Sequence, residues 1–258
     1  RKTCEANGFE LLDRPLDNDA LNFFEHDQVV KQYYPECERI IGAETGARAF
    51  AFDHNIRSAV GKQSKQRITG GQQVQGPAHV VHGDYTLYSA PQRLRDLSTP
   101  PSGNDTLLSV LPAGESLITS QMVAQCLGEG GRFAIINLWR SIADEPVQTD
   151  PLALCDGKTV EPEDLVVFEI HYQDRIGENY FSKYADKHKC YFYPEMTRDE
   201  AMLIKQWDSN GELAQSSGEQ ADSSELNQAC HFSFHSAFSD LSVPDDAPVR
   251  VIIEVGVV

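Results

Sequence analysis

A histidine and an aspartate stand two positions apart in VVHGDYT, residues 80 to 86, with β-prone residues on either side. On an extended strand, side chains two apart leave the same face roughly 6 to 7 Å apart along the chain, so His82 and Asp84 can lean toward one ion. Gly83 between them puts no Cβ on the opposite face. A third donor has to come from elsewhere, and HFSFH (231–235) offers His231 and His235, which share a strand face through Ser233. Two imidazoles and one carboxylate make the facial triad that holds Fe(II) and leaves three positions open on one side, as dioxygen and a chelating co-substrate require. The plainer alternative for the pair is that His82 caps a turn and Asp84 solvates it.

A 2-oxoacid chelating such an ion leaves its far carboxylate in need of a cation, and a guanidinium fork grips carboxylates with two parallel hydrogen bonds. Arg250 follows His235 by fifteen residues, at the start of the last β-rich run, where a hairpin can return it to the metal strand. A surface arginine balancing Asp245 and Asp246 satisfies the same spacing.

The elements that must position these residues are mostly short β-rich runs: 47–54, 79–88, 132–139, 164–172, 189–194, 230–238 and 249–258. Helical spacing is expected at 18–33 and at 115–126, which stops at Gly128. A third helix is predicted over 196–208, where Thr197 and Glu200 have the spacing of a capping box. Strands outnumber helices and do not alternate with them, so a mainly β fold with flanking α-helices, a sandwich or barrel, is favoured over a doubly wound sheet. Residues 98–106 and 208–228 are expected as loops, the second a polar lid or a disordered segment just ahead of the histidine pair. A chain of 258 residues is expected to form a single domain.

Composition bounds the partners. Lys and Arg number 22 against 39 Asp and Glu, a net charge of −17, which repels nucleic acid and anionic membrane. No run approaches the roughly 18 apolar residues that span a bilayer. The six cysteines are scattered without a CxxC pair, and no secretory apolar segment opens the chain, so reduced thiols and a cytoplasmic setting are expected.

AFDHNIR (51–57), VVHGDYT (80–86), INLWRSI (136–142), PLALCDGKTV (151–160), the stretch 191–209 and HSAFSDLSVPDDAPVRVIIEV (235–255) together resemble the fungal hydroxylase/desaturase family, whose members include gibberellin-desaturase-like and aspergillic-acid-type oxygenases. The resemblance runs over nearly the whole chain. It implies a double-stranded β-helix (jelly-roll, cupin-like) core, with Fe(II), 2-oxoglutarate and O2 used to hydroxylate or desaturate a small natural product in secondary metabolism. It implies iron ligation by His82, Asp84 and His235, choosing His235 over His231, and a grip on 2-oxoglutarate by Arg250, with Arg140 as second choice. Asn137 and Trp139 match pocket-lining positions, and Tyr85 and Phe234 are expected to wall the substrate space.

One departure stands out: Gly256 replaces an arginine that relatives carry in IEVR. That change keeps open a weakly catalytic subunit supporting an active relative in a heterodimer; a homodimer is equally admissible. A zinc hydrolase using His79, His82, His231 and His235 is a further alternative, weakened because HFSFH lacks the glutamate base of an H-E-x-x-H helix. His54 is expected in a buried polar network or as support for the metal site.

Overall fold

The computed structural model describes residues 1–103, 105–171, 176–223 and 229–258. Among these, eleven strands run in chain order as β1 (Phe9–Asp13), β2 (Ala51–Ser58), β3 (His82–Gly83), β4 (Ala134–Ser141), β5 (Leu152–Cys155), β6 (Leu165–His171), β7 (Ile176–Ser182), β8 (Cys190–Tyr191), β9 (Glu200–Asp208), β10 (His235–Ala237) and β11 (Val251–Val257). They build two sheets, a five-stranded one in the order β1-β9-β4-β11-β2 and a six-stranded one in the order β6-β7-β3-β10-β5-β8. Every ladder in both is antiparallel.

The five-stranded sheet is covered on both faces. One face carries Ile56, Leu138, Leu203, Ile253 and Val255 against a helical layer that supplies Tyr33, Cys37, Ile40 and Ile41. The other carries Phe52, Ile135 and Trp207, which pack with Phe232, Phe234 and Tyr180 from the six-stranded side. Burial on both faces removes the apolar and polar alternation that marks a half-exposed strand.

That double burial explains the largest departure from expectation. Residues 200–208 form β9, a strand between β1 and β4, rather than a helix. Thr197 and Glu200 still bond, the Thr197 N–H donating to the Glu200 carboxylate at 2.8 Å, but the pair closes a turn that feeds the strand. Ladders on both sides outweigh the helical preference of AMLIKQW.

The first expected helix begins late. Asn18 and Asn22 accept the backbone N–H groups of Ala20 and Phe24, each at 3.0 Å, and these Asx turns hold 18–25 out of helix. Helix then runs through His26–Gln28, a π-helical turn at Val29–Tyr33, and Tyr34–Thr45, ending at Gly46 with φ 69°. The second forms over Ser120–Leu127, with Thr119 capping the Met122 N–H. In 79–88 only His82 and Gly83 pair, because Thr86 Oγ1 accepts the Tyr88 and Ser89 N–H groups and turns the chain into the helix Ser89–Asp96.

The start of the 208–228 stretch is tied down more than its polarity suggested. Leu213 is buried, and the Asp222 carboxylate accepts the N–H groups of Glu212 and His231. Residues 224–228 of that stretch lie outside the described residues, as does Asn104 of the other expected loop. All six cysteines are free thiols. No helix among the described residues is long and apolar enough to cross a membrane.

Three buried histidines, His26, His54 and His231, lie away from the triad. His54 on β2 meets the Tyr34 hydroxyl at 2.8 Å and stacks on His26, so it belongs to a polar network under the helical layer. His231 lies edge-on to Trp207, with ring centroids 4.2 Å apart. Burial holds the His54 imidazole down at about 4 and the His231 imidazole at about 3. Below the ordinary histidine value of about 6.5 the unfolded chain takes up protons that these folded sites refuse, so stability falls as pH drops from there toward 4. Urea midpoints are expected to fall between pH 7 and pH 5, with about 2 kcal/mol lost per histidine, and His54→Gln is expected to flatten its share of that slope.

Candidate metal centre

Strand β10 lies between β3 and β5, and its first residue faces β3 squarely: His235 is the cross-strand partner of His82. Partners of this kind carry side chains on the same sheet face within about 5 Å, and the two imidazole centroids lie 4.4 Å apart. Asp84, two residues on from His82, brings its Oδ1 to 3.6 Å from His82 Nε2. One ligand atom from each of His82, Asp84 and His235 lies within 4.8 Å of the others, the one such group among the described residues.

Local bonding fixes the donors. The Val80 carbonyl, which can only accept, lies 2.7 Å from His82 Nδ1. Nδ1 therefore carries the proton and Nε2 offers its lone pair toward Asp84. His235 is buried and its Nδ1 has no hydrogen-bond partner. Burial and the neighbouring His82 lower the His235 pKa, which keeps the ring neutral and able to bind a metal. Burial alone would raise the Asp84 carboxyl, but His235, His82 and Arg57 outweigh it and hold Asp84 below its ordinary value. Two imidazoles and an ionised carboxylate at this spacing fit a divalent ion with open positions.

The five-stranded sheet supplies the surroundings. On β4, Asn137 and Trp139 point toward the triad while Leu138 and Arg140 point to the helical layer, as strand alternation requires. The Asn137 amide donates to Asp84 Oδ2 at 3.0 Å and to Glu254 Oε1 at 2.5 Å. The Arg57 guanidinium lies 3.6 Å from the other oxygen of Glu254, and the Gln206 side chain accepts the Asp84 N–H.

Arg250, Trp139 and Leu152 stand with His82 and His235 around a small cleft on the other side of the triad. Arg250 reaches over the Trp139 ring at 5.8 Å, donates to the Asp150 carbonyl, and leaves its Nε without a partner. Burial pulls its guanidinium down to about 10, against the pull of Asp150.

Two expected site residues lie elsewhere. Arg140 is fully buried on the helical side, where it bonds the Tyr33 hydroxyl, Glu36 and the carbonyls of Arg14 and Arg198. One residue along β4 reverses the face, so Arg140 cannot reach the cleft that Arg250 lines from there. Phe234, one residue before His235, likewise faces the core and packs edge-on to Phe232. Tyr85 does line the cavity beside Asp84, together with Asn137, Arg57 and Glu254. His79 pairs with Asp150 at 3.1 Å and His231 sits under Trp207, so the four-histidine zinc arrangement does not form. Arg57 and Glu254 were not foreseen, although the polar period-two set Asp53, Asn55, Arg57 in AFDHNIR signals a strand face turned toward a polar site.

Comparison with known proteins bears on this geometry. The family described as "Oxidoreductase/YMDC permease-like domain" matches residues 1–111 and 114–258. The chain is 32% identical over 256 residues to the Fe(II)/2-oxoglutarate-dependent dioxygenase nvfI of Aspergillus novofumigatus, covering 97% of this chain and 75% of that protein. It is 28% identical over 215 residues to the alpha-ketoglutarate-dependent dioxygenase phiK of a fungal species, covering 80% and 66%. A bacterial relative, an uncharacterized protein in the dcmA 3′ region of Methylophilus leisingeri, is 45% identical over 141 residues, covering 54% of this chain and 65% of that one. The chain thus spans just under two thirds of the length of the last two relatives. In fold it is similar to the iron and alpha-ketoglutarate-dependent endoperoxidase NvfI, with a TM-score of 0.73 at 22% identity over 99% of this chain and 79% of that one.

Two outcomes follow from the bonding around the triad. Asn137→Ala frees Asp84 and Glu254 from their common donor and is expected to weaken Co(II) binding about 10- to 100-fold, read from the visible bands of an anaerobic titration. Arg140→Met strands Glu36 in the core and is expected to cost about 3 kcal/mol or more in urea unfolding, without altering metal affinity per folded molecule.

Proposed function

The chain belongs to the Oxidoreductase/YMDC permease-like domain family and, with its nvfI relative, to the Fe(II)/2-oxoglutarate-dependent dioxygenases, and from that premise we propose that it oxidises a small natural product, by hydroxylation or desaturation, at the expense of 2-oxoglutarate and O2. The observation that carries this is the His82, Asp84 and His235 group, drawn together from strands 150 residues apart in sequence. His82, Asp84 and His235 are the proposed ligands of Fe(II), and Arg250 the residue that holds the far carboxylate of 2-oxoglutarate. When bound, the iron supplies oxidative decarboxylation of the oxoacid and the oxidant for an unactivated C–H bond.

The protein's own share is positioning. The Val80 carbonyl keeps His82 in the tautomer that presents Nε2, and Asn137 holds one Asp84 oxygen so that the other stays turned to the imidazoles. Arg250 meets a dianionic oxoacid with a guanidinium that burial has left under-bonded at Nε, which favours a carboxylate partner over water. Trp139 beneath it keeps that cleft dry and fixes the plane of the fork. Tyr85 and Asn137 bound the space on the opposite side, where a substrate would approach Asp84.

Two packed antiparallel sheets with outer helices agree with a double-stranded β-helix core acting as one oxygenase domain, with 208–228 as a cover near the triad. The net charge and the want of a membrane-crossing helix among the described residues support a cytoplasmic enzyme working on a small molecule.

Anaerobic addition of Fe(II) and 2-oxoglutarate is expected to produce a weak visible charge-transfer band in the wild type and none in Asp84→Ala. Arg250→Met is expected to raise the 2-oxoglutarate concentration needed for half the band by about 10-fold or more. A folded wild type without the band would overturn the assignment.

A further inference from the structure

Beside Asp84 opens a cavity of about 580 Å³, within the range that accepts a drug-sized molecule. Its charge is one-sided. Six carboxylates line it: Asp53, Asp84, Asp96, Glu169, Glu178 and Glu254. Against them, among the described residues, stand two guanidinium groups, those of Arg57 and Arg93; no described lysine or histidine lines the wall, though the exposed His171 meets Glu169 at 2.9 Å.

Neither arginine is at liberty to neutralise the rest. Arg93 is paired at 2.7 Å with Asp105, which is not part of the lining, and Arg57 is shared between Glu254 and the Gly76 carbonyl. Asp53, Asp96 and Glu178 instead take neutral donors, from Thr106, Gln92 and Thr86 respectively. Hydroxyls and amides satisfy lone pairs but leave the charge in place. Burial accordingly pushes the Asp53 carboxyl above its ordinary value, despite Thr106 and the nearby Arg93.

Position 256 adds nothing to offset this. Gly256 lines the cavity without a side chain, and a Cβ there would meet the Phe52 ring at 2.9 Å. Nor would the co-reactants of the proposed reaction change the balance, since a divalent ion and a dianionic oxoacid cancel. The excess negative charge is left for whatever enters from solvent. An anionic substrate would be repelled, and a neutral apolar one would strip water from these carboxylates without compensation.

Building on the proposed oxygenase function, the geometry points to a substrate that carries a protonated amine, with the ammonium group held by the carboxylate wall to which Asp53 and Glu178 belong and the carbon skeleton extending toward the triad. Tyr85, Tyr88 and Phe52 line the same cavity and offer aromatic faces to such a skeleton or to the cation itself. The reaction that provides this substrate would be one that leaves a basic nitrogen free, such as a decarboxylation of an amino acid unit.

The test compares three probes that share one ring system and differ in charge: tryptamine, N-acetyltryptamine and indole-3-propionate. Each is titrated calorimetrically at pH 7 and low salt into the whole protein supplied with 2-oxoglutarate, without metal or oxygen. Tryptamine is expected to bind about 10-fold or more tightly than either of the others, a difference of about 1.4 kcal/mol. That preference is expected to shrink to about 3-fold or less in Glu178→Gln, and likewise in the isosteric Asp53→Asn, because each removes one unit of negative charge. Equal or tighter binding of the neutral or anionic probe, no binding by any of the three, or a preference unchanged in both variants would overturn the assignment. The charge-transfer band is read separately on the same preparations after anaerobic addition of Fe(II). A band without amine preference removes the substrate class alone, whereas amine preference without a band removes the oxygenase function and leaves an amine-binding cavity.

Discussion

His82 and His235 face each other as a single cross-strand pair, and the candidate centre depends on that register. A slip of one residue on either strand would turn one imidazole to the opposite face of the sheet, since side chains alternate with a period of two. The pair also sets an electrostatic condition. Burial and the neighbouring His82 ring, its centroid 4.4 Å away, disfavour protonation of His235, while Asp84 brings a carboxylate, and the group as a whole invites a cation. Everything else near it follows from supplying that arrangement with support: Val80 for one ring, Asn137 for the carboxylate, Arg57 for the acid that Asn137 also holds.

How much of this was legible in the sequence divides along physical lines. The first pair of candidate ligands needed only spacing and residue type, because the geometry of a strand makes two-residue separation meaningful wherever it occurs. His82 with Asp84 could be read directly, while the choice of His235 over His231 came from resemblance, and the structure keeps His231 under Trp207. Arg140 and Phe234 went astray by one position in register, an error that flips a side chain through the sheet. Residues 200–208 went astray because a strand buried on both faces shows no alternation, so the local Thr197 and Glu200 signal dominated. Glu254 could not have been singled out: a glutamate in VIIEVGVV announces nothing until Asn137 and Arg57 arrive from other strands.

The charges around the triad are divided by side. Arg250 and Trp139 stand where a dicarboxylic acid would be received, and carboxylates dominate the cavity on the other side of Asp84. Arg57 and Glu254 belong to both walls and mark the boundary between them. On the proposed assignments, a site arranged in this way sorts its two organic reactants by sign before shape has any part, and it discourages the oxoacid from settling where the substrate belongs. Arg140, by contrast, spends its charge on structure, joining the chain near residue 14 and near residue 198 to the helical layer through Glu36.

The order of strands in the five-stranded sheet bears on how the molecule comes into being. Strand β11, drawn from residues 251–257, lies in the interior of that sheet between β4 and β2. Until it is synthesised, β2 has no partner strand in the sheet, β4 is paired on one side only, and Glu254 and Arg250 are missing from the site. A nascent chain emerging from the ribosome would thus carry unpaired strand edges until residues 251–257 follow, a condition that favours intermolecular pairing and makes chaperone protection valuable. Contacts between segments so distant in sequence also make for slow folding once the chain is released. The same strand acts as a checkpoint: a chain that has not closed its sheet lacks Arg250 and Glu254 beside the triad, and on the proposed assignment such an immature molecule is kept from holding the oxoacid that would arm it.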